Sequence, residues 1–546
     1  LRPFKNGSRG AFEINMAETF RVLLSDSLAP QGIEVLKRFP QLKFEIKTGL
    51  KPEELAQAIA PYDALLIRSS TRVTREVIDA APQLKVIGRA GVGVDNIDIE
   101  AATRRGIVVM NSPTGNSVTT AEHAITMMMA LARHIPAANA ALRAGNWDRI
   151  KFTGAEIFNK TLGVVGLGNI GRIVADRAIG LKMKVIGYDP ILTAEAAGRV
   201  GVELVSLDTL FARADFITVH TPLTDDTRGL IGAAAFAKMK KGVRIINCAR
   251  GGIVDETALA DALKSGKVAG AALDVFVVEP PPADHPLFKF DNVIATPHLG
   301  AATDEAQVQV SVDIANQVAE FLIEGTIRQA VNIPALSTKE LEVLGPHLTL
   351  GEKLGRLAAQ LITDSPKELT LAFGGEAANL KPDAITAAVL KGLMSGFLDE
   401  DLNYVNAPFI ARERGISIIE KRSREVTDYI NTLTLTVRTG AGEHEVGGAV
   451  LGNRALRLTR IDGYRVEAVP EGYFLMLHNR DVPGVVGAVG TMLAQAGINI
   501  GGLELGRDRV GGTALSIFEV DEPVPSSVLD KLKTLPAITA ASLLKL

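Results

Sequence analysis

Three glycines, Gly166, Gly168 and Gly171, stand at G-x-G-x-x-G spacing in Thr161-Leu-Gly-Val-Val-Gly-Leu-Gly-Asn-Ile-Gly171, directly behind a short apolar run. The run reads as a strand, the glycines as a tight turn and the residues beyond as a helix. In such a unit the backbone bends where no Cβ is tolerated and leaves the helix N-terminus open to an anion. Eighteen residues after Gly171 a second apolar run, Leu181-Lys-Met-Lys-Val-Ile-Gly-Tyr-Asp189, ends in a carboxylate, where dinucleotide folds grip a ribose diol. Asp189 also repels a 2′-phosphate, so the unit predicts NAD in preference to NADP.

A chain of 546 residues is too long for one core; at ~100–200 residues per domain it holds three to five. With 47% hydrophobic and 22% charged residues and a net charge of −3, the composition is that of a soluble globular protein without general attraction for nucleic acid or anionic membrane. A substrate anion must then be held by local cations. The one cysteine, Cys248, excludes an intramolecular disulfide and a cysteine-built zinc site, and suits a reducing cytoplasm. The longest apolar stretch, 124–132, is too short to span a bilayer. Residues 1–15 are irregular, precede Met16 and lack the order of a secretory signal; we read them as leader or added sequence outside the fold.

From residue 20 short apolar runs (21–24, 43–46, 64–67, 84–87) alternate with helical periods near 32–39 and 53–59, which implies βαβ units on a parallel sheet. A long apolar helix, 121–133, links this first lobe to a second. There the fingerprint strand and the runs 181–189, 216–219, 244–247, 269–274 and 292–295 make six strands of a doubly wound sheet. Helix 304–324 is placed to cross back to the first lobe, and Asn332-Ile-Pro334 reads as a linker. Residues 336–470 mix helices (339–362, 382–394) with alternating strands (433–437, 455–459), an α+β domain. The remainder runs strand, helix, strand, strand, helix, strand, the ferredoxin-like βαββαβ order.

With NAD on the second lobe the reaction is hydride transfer, and oxidising an alcohol then needs a base for its proton. Of eight histidines, His298 in Ala295-Thr-Pro-His-Leu-Gly-Ala301 follows the last strand at its carboxyl end, where ligands bind in open α/β sheets. His220 is expected to line the cofactor, and His123, inside an apolar helix, reads as a satisfied core group. Glu279, braced by three prolines, is the carboxylate expected to stabilise the imidazolium and fix its tautomer. Arg250, just past a strand end, presents the planar fork that a substrate carboxylate needs, with Gly251 and Gly252 leaving room for the substrate. Arg68 and Arg89 stand at strand ends of the first lobe. Two further cations suit a substrate that carries a phosphate as well as a carboxylate.

Taken together, Gly166-Leu-Gly-Asn-Ile-Gly171, Asn247-Cys-Ala-Arg-Gly-Gly-Ile-Val-Asp255, Ala271-Ala-Leu-Asp-Val-Phe276, Glu279-Pro-Pro281 and Pro297-His-Leu-Gly-Ala301 resemble the D-isomer-specific 2-hydroxyacid dehydrogenase family. The resemblance implies two Rossmann-like lobes, a substrate lobe (16–114, completed by 302–332) and an NAD lobe (115–301). These are followed by an α+β intervening domain (336–470) that binds an allosteric substrate in the family, and an ACT regulatory domain (472–546). It puts catalysis on Arg250, Glu279 and His298. Cofactor contacts fall on Gly166, Gly168, Asn169, Ile170, Gly171, Asp189, Thr221, Cys248, Ala249, Arg250, Asp274, His298, Gly300 and Ala301, and substrate contacts on Arg68, Arg89 and Asn116. The substrate it implies is 3-phospho-D-glycerate, oxidised on the way to L-serine. A hydroxypyruvate or glyoxylate reductase, or a non-catalytic NAD-sensing protein of the same fold, are the alternatives. L-Serine is the implied effector, at Asn479, Asp481 and Asn499, and the arm 147–151 is implied to contact a second subunit of a homodimer or homotetramer. Arg454, Arg460 and Arg465 read equally as an anion site or as a solvated strand face.

Overall fold

The structure is a computed structural model that describes residues 19–334, 338–398, 401–426, 428–452 and 454–546. Residues 1–15 of the leader reading lie outside the described residues. Strands β1 (Phe20–Leu24), β2 (Leu42–Ile46), β3 (Ala64–Ile67), β4 (Val86–Arg89) and β5 (Val108–Asn111) form a parallel five-stranded sheet in the order β2-β1-β3-β4-β5. The helix Asp304–Glu324 lays Val310, Ile314, Val318 and Leu322 into the core of this sheet, so the lobe is closed by residues two hundred positions downstream. The run expected at 84–87 begins as a strand only at Val86: Leu84 N closes a turn on Ala81 O, and Lys85 N already bonds Asp63 O. Arg89 is therefore the last residue of its strand.

The second sheet has seven parallel strands in the order β12-β11-β10-β9-β6-β7-β8. They are β6 (Thr161–Val165), β7 (Lys184–Tyr188), the two-residue β8 (Glu203–Leu204), β9 (Phe216–Val219), β10 (Val243–Asn247), β11 (Val268–Leu273) and β12 (Val293–Ala295). The strand order reverses between β6 and β9, the switch point at which such sheets bind ligands. The helix between the lobes spans Ser117–Ala132, four residues earlier than the apolar pattern alone gives, which puts Asn116 at its N-cap.

Asn332 is no free linker. Its Oδ1 accepts from Val109 N (2.9 Å) and its Nδ2 donates to Ile107 O (2.8 Å), pinning the chain to the first sheet before it leaves for the next domain. That domain packs the helices Thr338–Leu361 and Pro382–Met394 on a six-stranded sheet in the order β14-β13-β15-β16-β17-β18. Its strands are β13 (Glu368–Gly375), β14 (Ser417–Ser423), β15 (Asn431–Arg438), β16 (Glu443–Leu451), β17 (Ala455–Ile461) and β18 (Tyr464–Ala468). The last domain is an antiparallel sheet, β20-β21-β19-β22, of β19 (Tyr473–Arg480), β20 (Ile500–Arg507), β21 (Thr513–Val520) and β22 (Ile538–Lys545). Alternate residues of β19 part company: Leu475 and Leu477 face the domain's own helices, whereas Phe474 and Met476 join the core of the preceding domain. Among the described residues no helix is long and apolar enough to cross a membrane.

Candidate active site

Gly166 leaves β6 at φ 90°. A Cβ on Gly171 would sit 1.9 Å from Gly166 O, so the helix Asn169–Gly180 reaches the turn only because that position is glycine. A Cβ on Gly168 would meet no atom within 4 Å: the space before the helix N-terminus is open on the side a pyrophosphate approaches. Gly168 and Asn169 are exposed there and Ile170 is half-buried. Asp189 braces the turn as well as facing it. Its Oδ2 accepts from Leu167 N (2.9 Å), and its Oδ1 from Ile191 N (2.9 Å) and Leu192 N (3.0 Å). Burial alone would raise its pKa; those three N–H bonds and nearby Arg172 hold it below the ordinary carboxylate value. Of about four acceptor positions on a carboxylate, the protein fills three. Behind the turn, Thr221 Oγ1 and His220 Nδ1 are buried without a hydrogen-bond partner among the described residues. Burial pushes His220 down to about 4, so it is neutral at pH 7. An open anion cradle, a carboxylate with a free lone pair and an orphaned hydroxyl fit NAD.

At the carboxyl ends of β10, β11 and β12 the predicted catalytic residues meet. His298 Nδ1 lies 2.8 Å from Glu279 Oε2, and Glu279 Oε1 accepts from Phe276 N (3.1 Å), which orients the carboxylate toward the imidazole. Burial would raise the Glu279 pKa, but the His298 and Phe276 hydrogen bonds and the field of Arg250 hold it down, so it remains the charged partner. His298 itself takes the left-handed backbone conformation, φ 55°, and its N–H donates to Asp274 O (2.9 Å). A Cβ on Gly251 would strike Phe276 O at 1.9 Å. That glycine therefore makes room for the loop carrying Glu279 rather than for substrate.

Asp274 is 1% exposed and its carboxylate is filled by the protein. Oδ1 accepts from Thr296 Oγ1 (2.5 Å) and Leu299 N (2.8 Å), and Oδ2 from Gly300 N (2.8 Å). His123 Nε2 stands 3.2 Å from the same Oδ1. The satisfied histidine expected at 123 is found: its half-buried ring is partnered by this buried charge and by Thr296 Oγ1. Burial would raise Asp274, and the bonds from His123, Thr296 and Leu299 outweigh it. Beyond Gly300, Ala301 O accepts from Gln307 Nε2 (2.6 Å). Cys248 is buried beneath the site, and burial together with Asp274 keeps its thiol protonated.

Three guanidinium groups border the opening. Arg250 donates through Nη1 to Ala249 O (2.7 Å) and through Nε to Asp95 Oδ2 (3.0 Å), a bond from the NAD lobe to the substrate lobe. Arg89, largely buried, is pushed down to about 10, first by burial and then by the fields of Arg250 and Arg68, with Asp95 and Asp26 opposing; its Nε has no hydrogen-bond partner among the described residues. Arg68 is tied by its backbone N to Asp26 Oδ2 (2.6 Å) and by Nη1 to Ser27 O (3.3 Å). Asn116 Oδ1 is buried and unpartnered among the described residues. Asp95 and Asp26 were missed in the sequence. Asp26 follows the end of β1 and Asp95 stands in the Gly-rich run after β4, and strand ends are the signal that would have found both.

In the last domain Asn479 and Asp481 line a cavity of about 290 Å³ with Ser516 and Arg507. Asn479 Oδ1 accepts from Ser516 Oγ (2.7 Å), and Asp481 Oδ2 from Gly511 N (3.0 Å) and Arg507 Nη1 (3.3 Å). Asn499 is not brought to them. It donates to Asp521 Oδ2 (2.8 Å) at the start of β20, whereas Arg507 ends that strand. In the preceding domain Arg460 pairs with Glu445 and Arg465 with Asp428.

Residues 125–300 match the family model for the NAD-binding domain of D-isomer specific 2-hydroxyacid dehydrogenases. Residues 343–462 match that for the D-3-phosphoglycerate dehydrogenase intervening domain, and 473–537 that for the ACT domain. Among solved structures, a D-lactate dehydrogenase from Aquifex aeolicus complexed with NAD and lactic acid superposes with TM-score 0.51 at 28% identity, over 58% of this chain and 100% of that one. A glyoxylate reductase from Paecilomyes thermophila gives 0.53 at 31%, over 57% and 98%. Fold and site define an NAD-dependent oxidoreductase of the D-2-hydroxyacid class. Relatives that cover nearly everything include the D-3-phosphoglycerate dehydrogenases of Synechocystis sp. (46% identical, 96% of this chain and 95% of the relative) and Archaeoglobus fulgidus (44%, 96% and 100%). The chain belongs to the D-3-phosphoglycerate dehydrogenase family.

Proposed function

We propose that Arg250, Glu279 and His298 carry out the NAD-dependent oxidation of 3-phospho-D-glycerate at C2, giving 3-phosphooxypyruvate for L-serine synthesis. Glu279 accepts from His298 Nδ1, which leaves Nε2 as the basic nitrogen that takes the hydroxyl proton. Bound NAD supplies the hydride acceptor. Arg250, steadied through Nε by Asp95, turns the rest of its fork to the substrate carboxylate and the developing carbonyl. Arg68 and Arg89 take the phosphate, with Asn116 beside them. The observation that carries this reading is the crowding of three guanidinium groups, one of them with its charge disfavoured by burial and by the other two. Such repulsion calls for a substrate with more than one negative group.

The nucleotide is assigned to the turn at Gly166, Gly168 and Gly171 with Asn169, Ile170, Asp189 and Thr221, and to Cys248–Arg250, Asp274 and the turn from His298 through Gly300 and Ala301. A homodimer or homotetramer fits the arm on which Trp147 is 77% and Ile150 87% exposed. A cytoplasmic location fits a chain whose one cysteine is a buried, protonated thiol. L-Serine is the effector we assign to the cavity at Asn479 and Asp481, with Asn499 supplied from a second subunit. The test is NAD reduction with 3-phosphoglycerate against glycerate, with and without serine. His298→Ala and Arg250→Ala should each lower kcat/KM on the order of 10²- to 10⁴-fold with NAD affinity largely kept. Near-wild-type turnover by His298→Ala sinks the assignment.

A further inference from the structure

The helix Ser117–Ala132 begins at the cleft and runs beneath the turn that carries His298. Two of its side chains, one turn apart and so on the same face, touch that turn. Thr120 Oγ1 donates to Gly300 O (3.0 Å), and His123 Nε2 lies 3.3 Å from Thr296 Oγ1 and 3.2 Å from Asp274 Oδ1. Of the four groups converging on the Asp274 carboxylate, three come from the turn itself: Thr296, Leu299 N and Gly300 N. His123 is the one supplied by another element. Asp274 accepts the Thr296 hydroxyl proton, so both oxygens facing His123 are acceptors, and the ring must present Nε2–H.

A carboxylate this buried demands full hydrogen bonding. The polar cluster therefore has one low-energy arrangement, and that arrangement sets the height of the turn above the sheet edge. Residue 298 is already held in a left-handed conformation with its N–H on Asp274 O, so a displaced turn displaces the imidazole with it. We propose that His123 is a positioning residue for the reaction: its Nε2–H, shared between Asp274 and Thr296, fixes the 296–300 turn and with it the reach of His298 toward the substrate hydroxyl. The imidazole at 123 acts through two intermediaries, Asp274 and Thr296.

This rests on His298 being the base. The two can fail separately, because a wrong base leaves His298→Ala active, whereas a wrong role for His123 leaves His298→Ala inactive and His123→Ala unimpaired. The experiment is steady-state kinetics of His123→Ala, Thr296→Val and the double variant in the full chain, with C2-protiated and C2-deuterated 3-phosphoglycerate. His123→Ala should lose on the order of 10- to 100-fold in kcat, as expected for an angstrom-scale misplacement, with KM for the hydroxy acid changing little. The isotope effect on kcat should rise as the chemical step becomes limiting, and His123→Gln, which returns an N–H donor, should recover part of the loss. Because both residues act through Asp274, the double variant should lose less than the product of the single losses. Should His123→Ala not fold, His123→Asn, too short to reach Asp274, takes its place in the same cycle. Wild-type kcat for the single variant, an unchanged isotope effect, or multiplicative losses in the double variant would each overturn the proposal.

Discussion

The candidate active site and the cavity of the C-terminal domain both gather polar side chains, yet they are in opposite states. In the cleft Arg89 Nε, Asn116 Oδ1 and Thr221 Oγ1 are buried without partners among the described residues, and like charges face one another. In the C-terminal cavity each group answers another: Asn479 with Ser516, Asp481 with Gly511 and Arg507; Asn499, outside it, answers Asp521. Unpaired buried polar groups cost free energy that a ligand returns on binding. The cleft is thus built at the expense of stability and is organised for an anion. The C-terminal cavity is stable as it stands, and a ligand there must replace bonds already made.

The sharpest way to break this contrast is Arg89→Leu. Losing a buried partner of a substrate charge costs about 4 kcal/mol in typical complexes, so kcat/KM for 3-phosphoglycerate should fall by about three orders of magnitude. The same change removes a charge that burial, Arg250 and Arg68 all oppose, so the thermal midpoint should hold or rise. Inorganic phosphate, a probe of the site, should raise the midpoint of the wild type more than that of the variant. A variant that lost both activity and stability would mean that Arg89 is structural and the cleft no less satisfied than the cavity.

A smaller effect tests the cost of the cofactor side. His220 has a folded pKa of about 4 against 6.5 unfolded, so the unfolded chain binds the extra proton between those values. Its contribution is fully present above pH 6.5 and is lost as pH falls through about 4, a swing of roughly 3 kcal/mol. His220→Gln should flatten the fall of the thermal midpoint over that window, read by calorimetry. An unaltered slope would place the acid sensitivity elsewhere.

How much of this was legible in the sequence follows the range of the forces. Strands buried on both faces read as apolar runs, and the strand expected at 216–219 is β9 residue for residue; the helix at 304–324 is equally plain. The run Ile107-Val-Val-Met110 gave no strand, because four apolar residues after a helix are ambiguous by periodicity. Neither did Glu203–Leu204, whose extended form is set by pairing with β7. The pairing of His298 with Glu279 was readable from strand ends. The partner of His123 was not: its helix is largely apolar beyond the first turns, and only the fold brings the buried Asp274 to its ring. Gly251 misled for the same reason, since the Phe276 carbonyl that demands it lies on another loop. Asn332 misled because a turn composition conceals long-range hydrogen bonds to β5 and its approach.

The smallest effect belongs to the effector site proposed in the C-terminal cavity. Asp481 holds Gly511 N and Arg507 and is kept below the ordinary carboxylate value, chiefly by the Gly511 N–H. An amino-acid effector offers an ammonium group to Asp481 and a carboxylate to Arg507, exchanging one charged pair for two. The net gain is modest because the outgoing bond was already made. L-Serine should therefore act with a coupling of about tenfold or less, and Asp481→Asn should abolish it while Asn499→Ala weakens it only in the oligomer. Serine titrations of turnover at matched protein concentration, above and below the dissociation of the oligomer, separate the two variants. If Asn499→Ala matters equally in the monomer, its pairing with Asp521 is what shapes the cavity, and the effector is held within one chain.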